Sequence, residues 1–316
     1  MANQSPITNL LSKRLIFVMG KGGVGKTTIT TALGILASQV GKRVLLIELD
    51  TEGSIPPLFD EAPIFDEPKE IWPNLFALTI QPQSALHEYV LLKLKFETLY
   101  KLIFENRIIK FFRNAVPGLN EILMMGKIWF LNKQHLEDGS PLFDLIIVDS
   151  PATGHGLSFL QVPKTVRKIV RLGPINEDAK KIEALVYDSS KCGICLVTLP
   201  EEMPTNEAIE FQQQLHHALQ LPIHVVIANK VIPDFFTHEE LSRLQEIKQK
   251  GGNPILKDLN DSAQFLRSRH LLNQRYLDRL SKAFKDILIS LPYLFTEDMS
   301  TSHLIQLSNL LQERGS

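Results

Sequence analysis

Gly20-Lys-Gly-Gly-Val-Gly-Lys-Thr-Thr28 is the stretch that decides the fold, because it places a glycine-rich loop between a strand and a helix. The run Arg14-Leu-Ile-Phe-Val-Met19 precedes this loop and is typical of a buried parallel strand. Thr27–Val40 suits a helix, and Arg43-Val-Leu-Leu-Ile47 is a second apolar strand. Strand, loop, helix and strand together predict one βαβ unit.

The glycine-rich loop carries the strongest indication of chemistry. Glycines let the backbone turn sharply and point its N–H groups at phosphate oxygens, and the helix N-terminus adds partial positive charge. Lys26 is expected to reach the β- and γ-phosphates of a nucleotide, and Thr27 to offer its hydroxyl to Mg²⁺. The residues expected to bind the nucleotide here are Gly22, Gly23, Val24, Gly25, Lys26, Thr27 and Thr28.

Further apolar runs extend the sheet. They are Leu75–Ile80, Phe143–Val148, Ile194–Leu199, Ile223–Ala228 and Ile287–Leu291. Helical stretches such as Pro204–Leu219 lie between several of them. This alternation predicts an α/β fold with a doubly wound, mostly parallel sheet flanked by helices, forming a single domain over residues 1–316. Between about residues 81 and 140, the apolar runs Leu86–Phe112 and Ile122–Leu131 predict a helical insertion.

Composition narrows the class of protein. Of 316 residues, 34 are Lys or Arg and 35 are Asp or Glu, so the net charge of -1 argues against a nucleic-acid partner. No apolar run approaches the roughly 18 residues of a membrane-spanning helix. Two cysteines cannot form a disulfide framework, and the N-terminus lacks a secretory core, so we expect a cytoplasmic protein.

Asp149 ends a predicted strand at the edge where parallel sheets bind ligands. A carboxylate suits Mg²⁺, either directly or through water, because this ion prefers hard oxygen ligands. An Asp at a strand end is more often a turn residue or a cap, so the residues that follow decide between the two interpretations.

Those residues carry a family resemblance. Asp149-Ser-Pro-Ala-Thr-Gly-His-Gly-Leu-Ser-Phe-Leu-Gln-Val-Pro163 resembles the second switch of the ArsA-type ATPases, which include the tail-anchored-protein targeting ATPase. With its second lysine, Lys21, the glycine-rich loop resembles the deviant P-loop of the wider family, which includes MinD/ParA proteins and nitrogenase iron protein. The resemblance implies a P-loop ATPase that binds ATP and Mg²⁺ as a homodimer, with Lys21 contacting the nucleotide of the opposite subunit.

Asp50 follows the second strand, in Glu48-Leu-Asp50-Thr-Glu-Gly-Ser54. The resemblance implies that it orients the attacking water, so that Lys21, Lys26 and Asp50 form the catalytic group. Phosphoryl transfer depends on such positioning and electrostatics. Family members usually continue Asp-Pro-Ala and then His or Ser. Here the sequence continues Thr-Glu-Gly, which leaves open whether the altered first switch hydrolyses ATP efficiently.

Two later segments extend the resemblance. Val225-Val-Ile-Ala-Asn229-Lys resembles the strand whose terminal Asn recognises adenine, and the competing interpretation is a simple turn-forming Asn. Leu291-Pro-Tyr-Leu-Phe295 resembles the late loop that lines the base.

Cys192 and Cys195 have metal-like spacing, but in a strand they face opposite sides, so we interpret them as buried apolar residues.

The insertion and the overall function each admit alternatives. The insertion carries the apolar side chains of Met124, Met125, Trp129 and Phe130. The resemblance to the targeting ATPases implies that they line a groove for a membrane-directed client, and the competing interpretation is that they form core or dimer contacts. The main hypothesis is an ArsA-like ATPase that handles an unknown protein client or membrane partner. One alternative is a MinD/ParA-like positioning switch. Membrane-bound switches end in a basic amphipathic helix, but the tail Leu304–Arg314 has one base and one acid. The other alternative is a weakly hydrolysing nucleotide-gated scaffold.

Overall fold

The computed structural model describes residues 5–94, 118–151, 153–249 and 254–315. Its strands are β1 (Leu15–Met19), β2 (Val44–Leu49), β3 (Lys69–Trp72), β4 (Leu75–Ile80), β5 (Leu145–Asp149), β6 (Cys192–Thr198), β7 (Val225–Val231) and β8 (Leu288–Pro292). Its α-helices are α1 (Pro6–Leu11), α2 (Lys26–Gln39), α3 (Pro82–Leu94), α4 (Leu119–Lys133), α5 (Thr153–Ile169), α6 (Pro174–Val186), α7 (Glu202–Leu219), α8 (His238–Gln249), α9 (Pro254–Phe284) and α10 (Thr301–Arg314). Short 3₁₀ helices cover Pro56–Phe59 and Lys285–Ile287.

The strands form one sheet in the order β3-β4-β2-β5-β1-β6-β7-β8. Neighbouring strands are parallel except for β3, which pairs antiparallel with β4 at the edge. The predicted α/β fold with a mostly parallel sheet is therefore confirmed. Because β2, β5 and β1 are adjacent, the loops after these three strands meet at one edge of the sheet.

Apolar side chains cover both faces of the sheet. Every residue of β1 is buried, and its side chains alternate between two hydrophobic cores, with Phe17 in one and Val18 in the other. Helices α4 to α7 pack on the first face, while α1, α2 and α10 pack on the second. Burial on both faces explains why the central strands appear in the sequence as continuous apolar runs.

The predicted helical insertion is partly described. The predicted helix Leu86–Phe112 corresponds to α3 as far as Leu94, and its remainder lies outside the described residues. The second predicted helix, Ile122–Leu131, lies inside α4. Met124 and Met125 are buried in the core, Trp129 is half-buried against it, and Phe130 is 37% exposed. The core interpretation is confirmed for the two methionines, and Phe130 remains on the surface.

Packing places both cysteines and the C-terminal helix. Cys192 and Cys195 are free, buried and on opposite faces of the sheet, and burial raises the pKa of the Cys192 thiol to about 12. Helix α10 packs its buried leucines against α2, including Leu304 and Leu311. Among the residues that the structure describes, no helix is both long enough and apolar enough to cross a membrane.

Candidate functional site

The phosphate loop joins β1 to α2, as the sequence predicts. Gly25 is the N-cap of α2, and the first hydrogen bond within this helix runs from the Ile29 amide to the Gly25 carbonyl, at 3.0 Å. The amides of the preceding turn, from Lys26 to Thr28, have no partner within the helix and lie at its positive end. This arrangement of amides is suited to binding the phosphates of a nucleotide.

Asn229, near the C-terminal end of β7, is hydrogen-bonded to this loop. Its Nδ2 donates to the Val24 carbonyl at 2.9 Å, its Oδ1 accepts from the Lys230 amide at 2.9 Å, and the residue is buried. Gly25 has a φ of 94°, and a Cβ at this position would lie 2.4 Å from Asn229 Nδ2. Glycine is therefore required at position 25 by both its backbone conformation and the close approach of Asn229.

A cavity of ≈170 Å³ lies beside Asn229 and the first turn of α2. Thr28, Tyr293 and Phe295 contribute to its lining, and the two aromatic rings contact each other edge to face with centroids 4.5 Å apart. The structure thus brings the two late segments, at Asn229 and Leu291–Phe295, next to the phosphate loop. Adenine recognition at this place remains a prediction.

Asp149 and Thr27 form the centre of the site. The Thr27 hydroxyl donates to Asp149 Oδ2 at 2.5 Å. Asp149 Oδ1 is buried and accepts no hydrogen bond from the part of the chain that the structure describes. Burial raises the pKa of Asp149 to about 6, although the Thr27 hydrogen bond and the charge of Lys26 lower it; the charge of Glu48 raises it further.

These two side chains fit a magnesium site. A buried carboxylate oxygen without a partner is a costly arrangement that a cation would relieve, and the Thr27 hydroxyl adds a second hard oxygen donor. Within the described residues, no group of three or more His, Cys, Asp or Glu side chains could hold a metal ion. Thr27 and Asp149 would therefore hold Mg²⁺ together with water and the phosphates of a nucleotide, as this ion commonly binds.

The two lysines of the loop differ in their surroundings. Lys26 is half-buried and donates to the Lys21 carbonyl at 3.4 Å, and burial lowers its pKa while the charge of Asp149 raises it. The Lys21 side chain is 39% exposed and donates to Glu207 Oε1 of α7 at 2.7 Å. Lys26 is thus close enough to Asp149 for the two charges to interact, whereas the ammonium group of Lys21 pairs with α7.

Asp50 comes directly after β2, the strand next to β5 and Asp149. Its φ of 52° is left-handed, and its amide donates to the Ile80 carbonyl at 3.0 Å. The residue is exposed and borders a cavity of ≈460 Å³ whose lining includes Pro151 and Phe159 of the second switch segment. The structure therefore places Asp50 and Asp149 at the same sheet edge, on adjacent strands.

Sequence reasoning missed the roles of two glutamates in this region. Glu48 is 2% exposed, lies in register with Asp149, and binds the loop that follows β2. An acidic residue inside an otherwise apolar strand is the signal that could have identified it. Glu207 pairs with Lys21 across 186 positions of the chain, and no local pattern indicates such a contact.

Comparisons with known proteins show which sequences this chain resembles. The family model of the anion-transporting ATPases (ArsA_ATPase) matches residues 13–175 and 169–258. ATPase BagA of Mycobacterium tuberculosis (strain ATCC 25618 / H37Rv) is 32% identical over 250 residues, which cover 76% of this chain and 71% of that protein. A protein of Aquifex aeolicus (strain VF5) provisionally named arsenical pump-driving ATPase 2 is 28% identical, covering 94% and 99%. ATPase GET3 of Meyerozyma guilliermondii is 26% identical, covering 95% and 90%.

Proposed function

The chain belongs to the ArsA-type family of anion-transporting ATPases and is an ATP hydrolase, and we propose that it works as a Mg²⁺-dependent, nucleotide-gated homodimer. In this proposal, ATP binding and hydrolysis are coupled to the handling of a protein client or a membrane partner. We also place the protein in the cytoplasm, a compartment consistent with two buried cysteines that are not bridged.

The observation that carries the proposal is the contact between Thr27 and Asp149 at the N-terminus of α2. It joins a hydroxyl, a carboxylate with one oxygen that no described residue bonds, and a row of helix N-terminal amides in one place. Bound Mg²⁺ would supply positive charge that neutralises the charge developing on the β- and γ-phosphate oxygens. The amides of the loop and Lys26 would bind the same phosphates.

Asp50 is the group that we assign to the water. It is exposed at the end of β2, on the strand adjacent to Asp149, so its carboxylate can accept a hydrogen bond from a water facing the γ-phosphate. Phosphoryl transfer requires an oriented nucleophile more than it requires a strong base, and a fixed carboxylate provides that orientation. Asp50 is thus proposed to determine turnover, and the phosphate loop to determine binding.

Lys21 supports the proposed dimer. A lysine in the phosphate loop that points to the surface and pairs with Glu207 does not serve the phosphate site of its own chain. In the closed homodimer, we propose that Lys21 leaves Glu207 and contacts the nucleotide of the second copy. A half-exposed ion pair contributes only about 0–1 kcal/mol, so a nucleotide phosphate can displace it.

The proposed client would bind on the side of the helical insertion. Phe130 and the half-buried Trp129 line a cavity of ≈240 Å³ between α3, α4 and α6. Because Met124 and Met125 are part of the core, any client surface is narrower than the sequence suggests. Pull-down with an Asp50→Asn variant held in the ATP-bound state, followed by mass spectrometry, would identify a client; enrichment of membrane-directed proteins supports the proposal.

The structure favours this proposal over a membrane-bound positioning switch. Such a switch would need a free basic amphipathic helix. Here the apolar side chains of α10, including Leu304, Leu307 and Leu311, are buried against α2. The weakly hydrolysing scaffold is the remaining alternative, and the rate of turnover separates it from an active ATPase.

The proposed role of Asp50 is tested by Asp50→Asn, measured by phosphate release and by binding of a fluorescent ATP analogue. Loss of a positioned carboxylate should lower kcat by roughly 100-fold or more while the Kd for nucleotide changes little. Asp60→Asn is the matched control, since Asp60 is also exposed and has a left-handed φ of 59°. Equal turnover in the wild type and Asp50→Asn would remove Asp50 from the mechanism.

A further inference from the structure

Glu48 is a buried carboxylate whose two oxygens are both used by one short loop. Glu48 Oε1 accepts from the Ser54 amide at 2.8 Å, and Oε2 accepts from the Ile55 amide at 2.9 Å. The residue is 2% exposed, so these bonds replace the water that an exposed carboxylate would have. Hydrogen bonds to a charged acceptor are about twice as strong as neutral ones, and this pair fixes the end of the loop on β2.

The same loop is held at its other end by β4. The Asp50 amide donates to the Ile80 carbonyl at 3.0 Å, and Gln81 Nε2 donates to the Thr51 carbonyl at 2.5 Å. In the middle, Gly53 has a φ of 83°, and a Cβ there would lie 2.9 Å from Pro63 Cβ. The loop from residue 50 to residue 55 is therefore fixed from two strands and has little room for another path.

We propose that Glu48 is a positioning residue for ATP hydrolysis, which holds the loop 50–55 so that Asp50 faces the nucleotide site. This inference rests on the proposed function, because it takes Asp50 as the group that orients water. Glu48 lies in register with Asp149 on the adjacent strand, so the anchor of the loop is next to the magnesium site. We call the hydrogen bonds that Glu48 accepts from the Ser54 and Ile55 amides the clamp. In this proposal the clamp fixes the position of Asp50, although the sequence after Asp50 departs from that of the family.

The clamp should affect turnover and leave nucleotide binding intact. Among the described residues, the hydrogen bonds of Glu48 go to the loop after β2, not to the phosphate loop after β1. Without Glu48, two loop amides lose their partner and Asp50 samples other positions. A displacement of about 1 Å in a reacting group can lower a rate by roughly 100-fold, whereas phosphate contacts on α2 are unchanged.

The experiment compares Glu48→Gln with Glu70→Gln, which makes the same chemical change on β3. Glu70 also accepts a backbone amide, from Asn74 at 2.8 Å, but it is exposed and lies on the edge strand. We expect Glu48→Gln to lower kcat by about 10- to 100-fold with a nucleotide Kd within about twofold of the wild type. Glu70→Gln should leave both values unchanged.

A second readout separates positioning from a general loss of structure. Hydrogen exchange of the peptide that contains Ser54 and Ile55 should become faster in Glu48→Gln, while the peptide over β1 and α2 keeps its protection. The double variant Glu48→Gln/Asp50→Asn should be no slower than Asp50→Asn alone, because the two residues act as one unit. Additive losses would contradict the inference.

The possible failures can be told apart. If Asp50→Asn retains full turnover, the proposed function fails, and the positioning role fails with it. If Asp50→Asn is inactive but Glu48→Gln has the wild-type kcat, the positioning role alone is overturned. Should Glu48→Gln not fold, Glu48→Asp keeps the charge but retracts the carboxylate from the loop amides; it should show the same loss of kcat, and an unchanged kcat would overturn the inference.

Discussion

Glu48 and Asp149 lie in register on adjacent strands, and Glu48 is buried, whereas Asp149 is half-buried. Their carboxylates differ in what bonds them. Both oxygens of Glu48 accept hydrogen bonds from the backbone of the loop after β2. Asp149 accepts one hydrogen bond from Thr27, and its second oxygen has no partner in the described chain. The carboxylate on β2 therefore fixes the loop that follows it, whereas the carboxylate on β5 remains available to a ligand.

The chain that follows each strand causes this difference. After β2, the backbone turns through the left-handed residues Asp50 and Gly53 and returns its amides to Glu48. After β5, the chain continues towards α5, and the hydroxyl that reaches Asp149 comes from α2 instead. Among the described residues, the loop after β5 thus leaves one oxygen of Asp149 available to a cation, whereas the loop after β2 occupies both oxygens of Glu48.

The largest effect expected from this comparison is on activity, in Asp149→Asn. The amide can still accept the Thr27 hydrogen bond but lacks the charge that a magnesium ion needs. We expect Mg²⁺-dependent phosphate release to fall by roughly 100-fold or more, because such electrostatic terms dominate phosphoryl transfer. Asp144→Asn, at the opposite end of the same strand segment, is the control and should keep most of the activity. An equal loss of phosphate release in Asp149→Asn and Asp144→Asn would show that Asp149 has no special role in the reaction.

A second prediction concerns stability without nucleotide, where the two carboxylates should respond with opposite signs. Asp149 has a folded pKa of about 6, above its ordinary value, so the folded state is penalised as pH rises from about 4 to 6. Asp149→Asn should therefore stabilise the protein by about 1–3 kcal/mol at about pH 8, with the gain vanishing near pH 4. Glu48→Gln should destabilise it by about 1–3 kcal/mol, because one loop amide loses its acceptor.

Urea unfolding at both pH values measures these differences. Asp138→Asn serves as a control of opposite sign, since hydrogen bonds from Ser140 lower the pKa of Asp138, and its charged form should favour the folded state. That variant should not gain stability at the higher pH. Stabilisation of the protein by Glu48→Gln would show that the hydrogen bonds of Glu48 do not stabilise the loop after β2.

The smallest effect is expected where a charge pair lies at the surface. Glu207→Gln removes the partner of Lys21 and leaves the lysine ready for the second copy. Since each pair contributes about 0–1 kcal/mol, ATP-dependent dimerisation should strengthen by no more than about fivefold for each of the two lysines that are released. Glu210→Gln, one turn away and bonded to Gln214, is the control. Sedimentation velocity with and without ATP measures both; weaker dimerisation in Glu207→Gln would argue against the proposed release of Lys21.

The sequence predicted the parts of the fold that depend on local pattern. Strands β1, β2 and β5 carry apolar side chains on both faces over most of their length, so these residues identify them without knowledge of their neighbours. Strand β3, with the sequence Lys-Glu-Ile-Trp, was missed because it is short, half-exposed and paired at a sheet edge with a register shift. Its existence depends on β4 more than on its own residues.

In the candidate site too, the residues that a local pattern marks could be predicted, and those that depend on distant contacts could not. The phosphate loop, Thr27 and Asp149 could be found because a glycine pattern and a strand end fix their places. The clamp at Glu48 could not, because its partners are amides whose direction depends on backbone angles at Asp50 and Gly53. The bracing of the phosphate loop by Asn229 joins residues 205 positions apart, and only the folded sheet brings them together.

We propose that ATP is hydrolysed at the edge of the sheet where β2 and β5 end, with Mg²⁺ held by Thr27 and Asp149. Phosphate release by the wild-type protein, measured with saturating ATP while Mg²⁺ is varied, tests it most directly. We predict a saturable rise in rate with Mg²⁺ that EDTA abolishes and that Asp149→Asn shifts to higher Mg²⁺ or removes. Turnover that does not depend on Mg²⁺, or an identical Mg²⁺ dependence in Asp149→Asn, would show that Asp149 does not hold the ion.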